Sequence, residues 1–231
     1  MKISITLLIL FCFSTAVFAR GTHTTIQIII DDSGVLIDPI EADKYKLLLL
    51  SHLKGLTRKR EFARAHIDVI STSIGRTIWS GVPSDLKRKP ERALALVNAI
   101  RSNPENCNNL PGAFMELASN INALERQGFT SAHVIVFSSL IDTPRPCSDT
   151  TQITLPQPPP LEGEINQTLS AYNSIHSIAF YWVSPHQKRV WEEFLEPAFN
   201  QALARGYPMT LMDIERSKFA LRGGLQLEAQ K

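Results

Sequence analysis

The chain has 231 residues, with 24 lysines and arginines against 22 aspartates and glutamates, for a formal net charge of +2. Charge this close to balance argues neither for nor against a polyanionic partner, but no basic tract is interleaved with aromatics, so nucleic acid is not the expected partner. The locally basic runs Arg58-Lys59-Arg60 and Lys87-Arg88-Lys89 read as solvated helix ends and loops.

The first nineteen positions carry Lys2, an apolar stretch from Ile3 through Phe13, and a Val17-Phe18-Ala19 end with small residues where a signal peptidase cuts. They read as a cleavable secretory signal. The stretch is short for a membrane span, so the expectation is a periplasmic or secreted protein with no stable membrane insertion after cleavage. About 210 residues then remain, a length that suits one domain with a full core. Cys12 leaves with the signal, and Cys107 and Cys147 remain. An even pair in an oxidising compartment points to a disulfide, two separate thiols being the alternative.

Thr24 to Ile30 is β-branched and almost continuously apolar, the pattern of a central strand buried on both faces. It runs into Asp31-Asp32-Ser33-Gly34. Tyr45, Leu48, Leu49, His52, Leu53 and Leu56 then follow the spacing of an amphipathic helix. His66 to Ser71 and Arg76 to Ser80, separated by Thr72 to Gly75, predict a hairpin. Trp79 on that edge hairpin is read as an exposed contact residue.

Pro90 opens a helix through Ile100, and Pro111 opens another, ending at Gly128, with Phe114, Leu117, Ile121 and Leu124 on its apolar face. Ala132 to Phe137 is the next central strand. A proline-rich loop at about 143–162 cannot be regular structure. A short helix near Ile165 to Tyr172, a strand Ser177 to Val183, a helix capped by Ser184-Pro185 that runs to about Arg205, and a last strand Met209 to Ile214 complete the chain.

Strands alternating with helices imply an α/β fold: a doubly wound, mostly parallel sheet with flanking helices and an antiparallel edge strand. In such folds the loops past the carboxyl ends of the strands build the binding site. Those loops hold Asp31, Asp32, Ser33, Asn108, Asn109, Ser138, Ser139 and Asp142. Asp31 to Gly34 also suits a plain strand-to-helix turn, in which Asp and Ser cap nearby amides.

On strand order, on the hairpin after helix one, and on Asp31-x-Ser33 after the first strand, residues 20–231 resemble the von Willebrand factor A (vWA) domain family. Members typically hold magnesium in a metal-ion-dependent adhesion site (MIDAS) built from an Asp-x-Ser-x-Ser loop, a Thr before a later helix and an Asp after the fourth strand. Asp31 and Ser33 match as metal ligands, but Val35 stands at the second Ser. Asn108 or Asn109 takes the Thr position, and Ser138-Ser139 stands where the family has Ser-Asp, unless Asp142 supplies the carboxylate. The resemblance therefore implies a degenerate site, with no cofactor or weakly bound magnesium.

The implied role is a non-enzymatic interaction domain that binds another envelope or extracellular protein, in a bacterial envelope, secretion, pilus or conjugation assembly. Asp31-Asp32-Ser33-Gly34-Val35-Leu36 also looks like the start of haloacid-dehalogenase-type phosphatases, with Asp31 as nucleophile. That family's second Asp is the general acid, and here it is Ser33.

Overall fold

The computed structural model describes residues 24–143, 153–159, 174–225 and 227. Residues 1–23, Cys147 and the short helix expected near 165–172 lie outside the described residues.

Six strands form one sheet in the order β3-β2-β1-β4-β5-β6. They are β1 (Thr24–Ile30), β2 (His66–Ser71), β3 (Arg76–Gly81), β4 (Ser131–Phe137), β5 (Ile175–Val183) and β6 (Met209–Asp213). All pairings are parallel except β2 with β3, which makes β3 the antiparallel edge. The chain leaves β1 in one direction to β2 and later returns to β4 on its other side. That reversal creates a switch point at the carboxyl end of β1, where an open α/β sheet offers its crevice.

Two apolar layers sandwich the sheet. On one face, Ala42, Leu49 and Leu53 of α1 (Pro39–Gly55) pack with Leu86 of α2 (Pro83–Arg88), Leu96 of α3 (Pro90–Ala99) and Leu221 of α6 (Ile214–Gly223) over Ile26, Ile28, Val69 and Phe137. On the other face, Phe114, Leu117 and Ile121 of α4 (Leu110–Arg126) and Trp191 and Leu195 of α5 (Pro185–Ala204) cover Ile29, Ile70, Val136 and Phe180. Burial on both faces is why β1 is fully buried along its length. Among the described residues, no helix is long and apolar enough to cross a membrane.

Several local readings change. Trp79 is 6 % exposed and belongs to the core, with the Arg92 guanidinium 5.7 Å from its ring centre, so it is no surface contact. β6 stops at Asp213, whose carboxylate accepts from the Arg216 N–H at 3.0 Å and starts α6, a helix the apolar pattern of the sequence does not signal. Ser184 precedes α5, but its hydroxyl makes no cap; it is buried and has no hydrogen-bond partner among the described residues. His52 sits at the border of the core and shares a hydrogen bond of 2.6 Å with the Leu221 carbonyl, tying α1 to the end of α6.

Near the amino ends of the strands, His133 of β4 is 1 % exposed between Phe62, 5.5 Å away by ring centres, and His176, 6.4 Å away. Burial, then the charge of His176, lowers its pKa to about 4. The unfolded chain takes up this proton near pH 6.5, the folded chain near 4. Stability that is full above pH 6.5 is therefore lost as pH falls through that window, by on the order of 3 kcal/mol. His66 has the opposite slope, because its hydrogen bond to Asp68 raises its pKa and favours the folded state below its ordinary value. Urea midpoints measured from pH 7 down to 4.5 should fall, and His133→Phe should flatten that profile.

Candidate functional site

The loops after β1, β2 and β4, together with the segment before α4, meet at the switch point. The Asp31 N–H donates to the Phe137 carbonyl at 2.9 Å and the Thr72 N–H to the Ile30 carbonyl at 3.1 Å, so the three loops leave the sheet in register. Asp31 is completely buried, and five groups donate to its carboxylate. Oδ1 accepts from the Ser33 N–H at 3.0 Å and the Ser33 hydroxyl at 2.5 Å. Oδ2 accepts from Asn108 Nδ2 at 2.9 Å, Ser138 Oγ at 2.9 Å and Ser139 Oγ at 3.3 Å.

Burial pushes the Asp31 pKa up; the Ser33 hydrogen bonds, the charge of Lys46 and the Ser138 hydroxyl pull against it. Lys46, on α1 and without exposed side-chain area, donates to the Ile100 carbonyl and to Ser102 Oγ at 3.0 Å each and lies 3.2 Å from Asp43. Burial lowers its pKa, opposed by the charges of Asp31, Asp43 and Asp32.

Asp32 faces a second set of donors. Its oxygens accept from Ser71 Oγ at 2.9 Å, the Ser73 N–H at 3.0 Å, Ser73 Oγ at 2.6 Å and Asn106 Nδ2 at 3.4 Å. Asn103 N–H reaches the Asp32 carbonyl at 3.0 Å, so the segment after α3 lies across the Asp31–Gly34 turn. Contact there is tight: a Cβ on Gly34 would come 2.5 Å from Pro104 Cα, which explains the glycine.

The eight residues expected from sequence thus divide. Asp31, Ser33, Asn108, Ser138 and Ser139 converge on one carboxylate. Asn109 instead accepts from the Gly112 N–H at 3.0 Å, and Asp142 accepts from the Leu110 N–H at 3.0 Å, so both cap α4. Burial raises the Asp142 pKa. Asp142 therefore does not supply the carboxylate missing from Ser138-Ser139. Of the two asparagines, Asn108 occupies the site; its amide also donates to the Ile141 carbonyl at 2.7 Å, where the chain reverses at Leu140 with φ 59.

Lys46, Ser71, Ser73, Asn106 and Thr143, whose N–H donates to the Asn108 carbonyl at 2.9 Å, escaped the sequence reading. Lys46 sits beside Tyr45 in a helical stripe that signals only apolar burial, and Ser71 ends β2 while Ser73 lies in the hairpin turn, so periodicity gave no cue. Cys107 is 4 % exposed, next to Asn108.

No family model matches the chain, and no curated protein matches it in sequence. Among solved structures it is similar to the manganese-loaded Plasmodium vivax TRAP protein, at 12 % identity and a TM-score of 0.48, over 87 % of this chain and 72 % of that one. It is also similar to the human COPII-coat protein Sec24c, at 12 % identity and a TM-score of 0.47, over 84 % of this chain and 30 % of that one. Neither likeness assigns a role to any residue here; the fold stands on its own sheet order and register.

Proposed function

We propose that this chain is an exported, non-enzymatic interaction domain of von Willebrand factor A-like build, whose adhesion site has become a closed polar network. Its loop face would bind another envelope or extracellular protein. The observation that carries the reading is the enclosure of Asp31: a carboxylate with no exposed area and five protein donors has no free lone pair to offer a ligand.

Magnesium does not fit these residues. A hard cation needs several oxygens presenting lone pairs, whereas here hydroxyls and an amide donate into the one central carboxylate, and Val35 offers no oxygen. Among the described residues, no group of three or more His, Cys, Asp or Glu side chains could hold a metal ion. The phosphatase alternative is disfavoured on the same ground, because a nucleophilic Asp31 must reach a phosphorus atom and this one is walled in.

Around the closed centre the rim is exposed and carries Ile40, 75 % exposed, Ile74, 53 % exposed, and the prolines at 39 and 104. Such a rim over a rigid base suits protein contact. The Cys107–Cys147 pairing belongs to this proposal, as a bridge beside the face that ties down the proline-rich loop. Unreduced mass spectrometry should show one disulfide and no free thiol outside the signal.

The test is site-specific photo-crosslinking in the native envelope. A crosslinking residue at Ile74 or at Glu105, exposed next to Pro104 on the rim, should give one common adduct, and the same residue at Leu203, exposed on α5 at the other end of the sheet, should not. Adducts of equal yield from all three positions would contradict the assignment.

A further inference from the structure

The two basic runs lie far apart in sequence but form one surface. α1 runs back against the strands and ends in a 3-10 turn, Leu56–Arg58, and α2, which follows β3, packs against both. This brings Arg58, Lys59, Arg60 and Arg64 to the same end of the molecule as Lys87 and Arg88. All six are exposed, and none has an ion-pair partner among the described residues. Exposed carboxylates nearby are Glu61 and Glu91; Lys89 and Arg92 are already engaged by Asp85. Against a whole-chain charge of +2, the excess is concentrated in one place.

That place is the amino end of the strands, opposite the loop face of Asp31. His66 opens β2 two residues after Arg64 and pairs beside Thr25, so the chain enters β1 at the same end. Among the described residues the patch holds no exposed aromatic for base stacking, so a polyanionic surface bound by charge alone suits it better than nucleic acid.

We infer that the Arg58–Arg64 and Lys87–Arg88 surface docks this domain peripherally on a bilayer rich in anionic phospholipid headgroups. Docking there turns the Asp31 loop face outward, towards its partner. The attraction is electrostatic, without insertion, and is screened by salt.

The test is co-sedimentation of the full chain with vesicles of phosphatidylcholine alone and with added phosphatidylglycerol. The readout is the affinity difference between the two, which cancels any contribution of the apolar amino-terminal run. Phosphatidylglycerol should strengthen binding, and high salt should abolish the gain. Replacing Arg58, Arg60, Lys87 and Arg88 by Gln should reduce the gain by about tenfold or more. Arg76→Gln with Arg101→Gln, exposed at the opposite end, should leave it unchanged, and circular dichroism should report the same fold for both variants. Equal binding to both vesicle types, or equal loss from the opposite-end control, overturns the proposal. So does displacement of the chain from anionic vesicles by a DNA duplex at matched phosphate concentration, which would reassign the patch to nucleic acid.

Discussion

Asp31→Ala should destabilise the domain by about 3–5 kcal/mol, because it strands the Ser33 and Asn108 donors and two serine hydroxyls in a site with no water access. At roughly 2–4 °C per kcal/mol for a domain of this size, Tm falls by about 10 °C or more. Asp31→Asn should be nearly as damaging. The hydroxyls can rotate and become acceptors, but the Ser33 N–H on Oδ1 cannot, and the Asn108 NH2 on Oδ2 is held as a donor by the Ile141 carbonyl at 2.7 Å, so either placement of the new NH2 group meets a fixed donor. Adding Asn108→Asp to Asp31→Asn restores a donor–acceptor pair and should recover part of the loss. A double-mutant cycle by urea denaturation measures that coupling; strict additivity would mean that the two side chains do not share a bond.

Trp182→Ala should cost a similar amount, about 3–5 kcal/mol. Its ring stacks on Phe137 at 5.3 Å with an 18° interplanar angle and leans on Tyr45 at 5.3 Å, with no exposed area. The indole N–H also donates to the Ile37 carbonyl at 2.8 Å, and the backbone N–H to Ser217 Oγ at 2.8 Å. Trp182 thus braces both the residue before Ser138 and the loop after Asp31. Trp182→Phe keeps most of the stacking and loses the indole bond, for about 1–2 kcal/mol. Chemical denaturation of the two variants separates the packing and hydrogen-bond contributions. Trp182 has φ 67, and the β5–β6 register shifts across it between Phe180 and Val183.

Elements whose burial is written in periodicity were readable from sequence. β1 and β4 are apolar on both faces, and the stripe of α4 through Phe114, Leu117, Ile121 and Leu124 is buried as its spacing requires. α2 and α6 were not readable: α2 is six residues long, and α6 buries little beyond Ser217 and Leu221, so neither carries a full apolar stripe. The mostly parallel sheet with its antiparallel edge followed from strand–helix alternation and the Thr72–Gly75 turn.

For the candidate site, sequence position identified the residues that meet on Asp31 but not their sense. Only the folded arrangement distinguishes a serine whose oxygen faces a cation from one that donates to a carboxylate, or Asn108 from its neighbour Asn109. Lys46 was hidden for a related reason. A lysine beside a helix's apolar stripe usually snorkels, and this one is held inside by Asp43, Ser102 and the Ile100 carbonyl.

The most direct test of a closed, metal-independent Asp31 network is the melting temperature of the purified protein across a magnesium and manganese titration, with an EDTA control. The expected result is an unchanged Tm in every condition, on top of the large fall caused by Asp31→Ala. A cation held by Asp31 would add about 2.7 kcal/mol at a hundred times its dissociation constant. A saturable rise in Tm of roughly 5–10 °C that disappears in Asp31→Ala would therefore contradict it.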